Sequence, residues 1–117
     1  MCTYSKYRDN MRGEVWMADF GDNVGSEQNG IRPCVILQND NLTKNPHTLL
    51  VLPVTKARKK LNSTQATIQL KEVSQGLCEQ TRVIDKDRMI YRKCKLSKDE
   101  MKKIEKKLAF TLGLHII

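Results

Sequence analysis

From residue 13 to residue 85 the chain is a succession of short apolar or alternating segments cut by glycine, asparagine, aspartate and proline. Helical spacing of apolar residues becomes clear only after residue 97. That order excludes a helical bundle, and it lacks the repeated strand–helix alternation of a parallel doubly wound sheet. What remains is a mainly β or α+β domain of antiparallel strands closed by one C-terminal helix. With 117 residues, one core is expected rather than two modules.

The segments can be placed individually. Residues 13–20 (GEVWMADF) are β-compatible and run into the turn-forming GDN. Residues 21–31 hold three glycines and two asparagines without apolar periodicity, which predicts an exposed loop. Arg32 opens a strand, RPCVILQN, whose Pro33 stands where no ladder bond is needed. HTLLVLPVT, residues 47–55, reads as a strand covered on both faces, with Pro53 marking an edge, bulge or end and Thr55 at the exit. TQATIQL, residues 64–70, alternates Ala66, Ile68 and Leu70 with polar partners.

Gly76 is expected to precede a further strand, residues 77–85, with Gln80 and Arg82 on one face and Glu79 on the other. Ser97 and Glu100 form an S-x-x-E capping box ahead of Met101, Ile104 and Leu108, and Gly113 is the expected stop.

Composition narrows the partners. The formal charge is +8, and residues 86–107 alone carry ten basic against four acidic side chains, a balance suited to a polyanion such as RNA. No apolar stretch approaches the roughly 20 residues a membrane-spanning helix needs, so no membrane partner and a cytoplasmic location are expected. Cys2, Cys34, Cys78 and Cys94 are widely spaced without a CxxC pair. Incidental or buried thiols are therefore expected rather than a zinc site, a redox motif or disulfides.

Four stretches carry a resemblance: RGEVWMADF, VGSEQNGIRPCVILQND, the strand ending VT, and EQTRVIDKDRM. Together they closely resemble the MazF/PemK toxins over roughly residues 12–114. The match defines a single toxin domain, residues 12–117, behind an N-terminal extension, residues 1–11. The resemblance implies a small, strongly twisted, antiparallel barrel-like sheet with short helices, assembled as a homodimer. It implies the toxin of a type II toxin–antitoxin system, a ribosome-independent endoribonuclease that cuts single-stranded RNA at short motifs without metal or other cofactor and so arrests translation and growth. A cognate acidic antitoxin would hold it inactive. Where the family commonly has two glycines this chain has Asn29 and Gly30, so the cleavage motif does not transfer.

Attack of the 2′-hydroxyl on the adjacent phosphorus demands positioning and anion stabilisation more than a protein nucleophile. Arg32 matches the family's catalytic arginine, and its guanidinium can hold two phosphate oxygens in a fixed fork. Thr55 matches the family's catalytic threonine and can donate to a phosphate oxygen or orient the 2′-hydroxyl. Neither is a general base at neutral pH.

RNA contacts are expected from Ser26, Glu27, Gln28 and Asn29 in the loop, from Lys56 and Arg58 after Thr55, and from Glu79, Gln80 and Arg82. A two-histidine mechanism fits poorly, since His47 and His115 match no functional position. The competing readings are a gyrase-poisoning toxin of the CcdB type, which shares the fold, and a non-catalytic RNA-binding module.

Overall fold

The structure is a computed structural model that describes residues 11–22, 25, 29–42, 46–56 and 64–115. Among the described residues seven strands precede one helix: β1 Glu14–Asp19, β2 Ile31–Ile36, β3 Thr48–Lys56, β4 Gln65–Gln69, β5 Val73–Leu77, β6 Arg82–Asp85, β7 Met89–Lys95 and α1 Lys98–Leu112. Single 3₁₀ turns, Cys78–Gln80 and Lys86–Arg88, flank β6. All pairings are antiparallel, in the order β4-β5-β3-β2-β1-β7, with β6 also on β3. The expected antiparallel sheet with a terminal helix is what forms, although β4 and β7 stand at opposite ends and the sheet does not close.

Both faces of the sheet are buried, because neighbouring residues on the central strands serve different cores. Val15, Val35, Leu52, Val54 and Ile68 pack beneath α1 against Met101 and Ile104. Trp16, Ala18, Phe20, Ile36, Leu49 and Ile84 form a second cluster. Each fully buried aliphatic side chain contributes roughly 1.5–3 kcal/mol relative to its exposed state. α1 begins where Ser97 Oγ accepts from the Glu100 amide at 3.2 Å. It ends at Gly113, whose φ of +71° only glycine adopts at little cost.

Two expectations are corrected along one edge of β3. Gly76 does not precede a strand but lies within β5, opposite Val54 of β3 and Ala66 of β4. Residues 77–85 are not one alternating strand either. Between the pairs Val54–Gly76 and Val51–Arg82, β3 advances three residues while its partner advances six. The three extra residues are taken up by the Cys78–Gln80 turn, so the two-residue alternation that would separate Glu79 from Gln80 and Arg82 is lost. Pro53, which has no N–H to give, sits opposite that break, so of the edge, bulge or strand end that it could mark, the irregularity in pairing is the one found.

The cysteines also differ in part from expectation. Cys34 and Cys78 are free and buried, but Cys94 is disulfide-bonded, its partner lying outside the described residues. Sequence spacing carries no information about which thiols meet in space. No helix among the described residues is long and apolar enough to cross a membrane.

Candidate functional site

β2 and β3 run antiparallel with Cys34 opposite Pro53 and Val35 opposite Leu52. The pairing runs from Ile36–Val51 to Cys34–Pro53, and Arg32 lies two residues before Cys34 while Thr55 lies two residues after Pro53. Both side chains line a single open cavity of about 320 Å³. Arg32 is exposed, and its Nε donates to the Asn29 carbonyl at 3.2 Å, leaving the terminal guanidinium nitrogens without a hydrogen bond among the described residues. Thr55 is half-buried near the end of β3, opposite Gln75 of β5.

The loop feeding Arg32 is closed at its base. The Gly30 amide donates to the Gly21 carbonyl at 2.9 Å, and the Phe20 amide donates to the Gly30 carbonyl at 2.9 Å. Gly30 holds a φ of +72°, the left-handed conformation needed to return the chain into β2. Arg32 is thereby delivered from a pinned neck rather than from a free loop.

The cavity wall is cationic. Arg32, Lys56, Lys71 and Lys93 line it, against Glu72 as the sole carboxylate among the described residues. Lys56 Nζ and Glu72 Oε2 stand 3.9 Å apart, both well exposed, a pair that contributes little to stability. The arrangement offers a planar fork, a hydroxyl and several ammonium groups around a space large enough for a phosphodiester. Neither free thiol among the described residues competes as nucleophile. Burial pushes the Cys34 thiol up to about 12 and the Cys78 thiol up to about 11, so both stay protonated at neutral pH.

Not every candidate residue shares this cavity. Arg32, Thr55 and Lys56 line it, and Asn29 touches it through its carbonyl bond to Arg32. Glu79, Gln80 and Arg82 do not. With Thr81 they line a second cavity of about 450 Å³ that shares no described residue with the first. There Glu79 Oε2 accepts from Thr64 Oγ1 at 2.8 Å, and the Arg82 guanidinium sits 5.7 Å over the Phe20 ring. Ser26, Glu27, Gln28 and Arg58 lie outside the described residues. Sequence reasoning missed Lys71, Glu72 and Lys93, which enter the cavity from a turn and from β7 without any motif to announce them.

Comparison with known proteins adds to this geometry. A protein of Staphylococcus saprophyticus named Endoribonuclease MazF is 37% identical over 112 residues, covering 91% of this chain and 93% of that protein. Among solved structures, MazF of Deinococcus radiodurans superposes with a TM-score of 0.76 at 22% identity, covering 88% of this chain and 96% of the other. An endoribonuclease from a mycobacterial species, solved in complex with its cognate antitoxin, gives a TM-score of 0.75 at 20% identity, covering 92% and 98%. Those two likenesses speak for the fold. Residues 11–112 match the family described as PemK-like, MazF-like toxin of type II toxin-antitoxin system, and the chain belongs to that family.

Proposed function

We propose that this chain is a cytoplasmic toxin endoribonuclease that cleaves single-stranded RNA at short motifs as a homodimer. The observation that supports the reading is that Arg32 of β2 and Thr55 of β3 line one cavity together with Lys56, Lys71 and Lys93. The relative named an endoribonuclease supports the reaction. Relatives solved with their antitoxins support the partner, here an acidic chain whose carboxylates compete with RNA phosphates for the same lysines and arginine.

In the proposed step the 2′-oxygen forms a bond to phosphorus as the bond from phosphorus to the 5′-oxygen breaks. The products are a 2′,3′-cyclic phosphate and a 5′-hydroxyl. The 2′-proton leaves to solvent, and the departing 5′-oxygen takes one from water. Arg32 holds nonbridging oxygens in its fork, and the Thr55 hydroxyl donates to a phosphate oxygen. Charge is stabilised where it develops, which is the largest contribution available to a site without a nucleophile.

The test is incubation of purified protein with a long RNA in EDTA. The expected result is cutting at defined sites with 5′-hydroxyl ends. Intact RNA together with gyrase inhibition would replace this reading by a gyrase poison. RNA bound but uncut would reduce the chain to a binding module.

A further inference from the structure

We propose that Lys93 is a third catalytic group of the Arg32–Thr55 site, an ammonium that binds a nonbridging oxygen of the pentacoordinate phosphorus. The assignment rests on the RNA-cleaving reading above and extends it to a residue from a different strand.

The argument begins with register. On β1, Val15 is opposite Cys94 and the next residue, Trp16, is opposite Arg92. Lys93 is therefore the extra residue of a β-bulge, with no partner of its own on β1. The insertion breaks the usual alternation. Cys94 joins the core beneath α1, while Arg92, two residues earlier, pairs with Trp16 of the opposite core and reaches Glu14. Bulges re-aim side chains, and this one delivers Lys93 to the cavity of Arg32 and Thr55.

The other cations on the wall are less suited. Lys56 is exposed and engaged with Glu72, and Lys71 is exposed on a turn. Lys93 is half-buried, stands on a paired strand, and its ammonium has no ion pair or hydrogen bond among the described residues. Its stem is held by the sheet while its ammonium is left available.

The chemistry calls for such a group. With the neutral 2′-hydroxyl bound, the phosphodiester carries one negative charge; loss of the 2′-proton as the 2′-oxygen attacks raises the charge shared by the phosphoryl oxygens and the two apical oxygens to two. A single guanidinium matches the ground state. A second fixed cation favours the transition state selectively, which is the condition for raising kcat rather than only tightening binding. Three groups on β2, β3 and β7 would then surround the phosphorus from a rigid framework.

Lys93→Gln and Lys93→Arg are compared with wild type in single-turnover cleavage of a short RNA. Binding is measured in parallel to the same oligomer with a 2′-deoxy sugar at the scissile position, and folding by thermal melting. The expected result for Lys93→Gln is a rate loss on the order of 10²-fold, with binding weakened only a few-fold and the melting transition retained. Lys93→Arg, which keeps the charge, should recover at least ten-fold over Lys93→Gln. Wild-type rates in Lys93→Gln would overturn the assignment, as would a folded Lys93→Arg no faster than Lys93→Gln. A loss seen wholly in binding would make Lys93 a tether for RNA and overturn its catalytic role. Wild-type protein that leaves the oligomer intact would instead overturn the RNA-cleaving reading itself, and Lys93 with it.

Discussion

Two arginines in this molecule show how one residue type serves opposite ends. Arg92 is mostly buried and donates through a terminal nitrogen to Glu14 Oε2 at 3.0 Å. Glu14, almost wholly buried, also accepts on Oε1 from the Met11 amide at 2.8 Å and from Trp16 Nε1 at 3.1 Å. Glu14→Ala would strand a buried guanidinium and two donors. A stability loss of about 3–5 kcal/mol is expected from urea denaturation, and a loss under 1 kcal/mol would show that water replaces the carboxylate at no great cost. Arg32 has the contrary profile, since its side chain makes one hydrogen bond among the described residues, to the Asn29 carbonyl, and it is exposed. Arg32→Ala is expected to leave the melting temperature within a few degrees while lowering RNA cleavage about 10²–10³-fold. Near-wild-type cleavage in that variant would remove Arg32 from the chemistry.

At the scale of elements, β5 is held in place by closeness. A Cβ built on Gly76 would lie 2.8 Å from both Ile68 Cδ1 and Leu52 Cδ2, and those side chains are fully buried with nowhere to swing. Gly76→Ala should destabilise the fold by roughly 1–3 kcal/mol, read as a shift in urea midpoint at unchanged slope, and an unshifted midpoint would mean the core beside β4 yields easily. The same glycine marks the limit of reading this chain from its residues. α1 is legible because its cap, its Met101–Ile104–Leu108 spacing and its Gly113 stop are all local. β4 is legible because Ala66 and Ile68 alternate with exposed partners. The three-residue insertion at Cys78–Gln80 and the bulge at Lys93 are not, because each is a mismatch between two strands distant in sequence. Arg32 and Thr55 became candidates through family resemblance, and their sharing one cavity is a matter of how β2 and β3 are brought together, which no local pattern encodes.

For the molecule as a whole, the decisive question is how a small domain presents a single-stranded RNA path. Arg32, Thr55, Lys56 and Lys93 line one cavity within a single protomer, and the expectation to test is that a homodimer lengthens the path beside that cavity. Apolar residues left in the open fit an association of this kind. Leu50 and Val83 face each other across β3 and β6, and both are exposed. Light scattering is expected to give twice the chain's 13.5 kDa mass. Mixed dimers of wild type and Arg32→Ala, prepared by co-expression with two different tags, separate two cases. If each site is built within one chain, the mixed dimer keeps about half the rate of wild type on a short RNA that fills one site. A dead mixed dimer would mean that the partner's Arg32 reaches across into its neighbour's centre, and a monomer with full activity would sink the homodimer altogether.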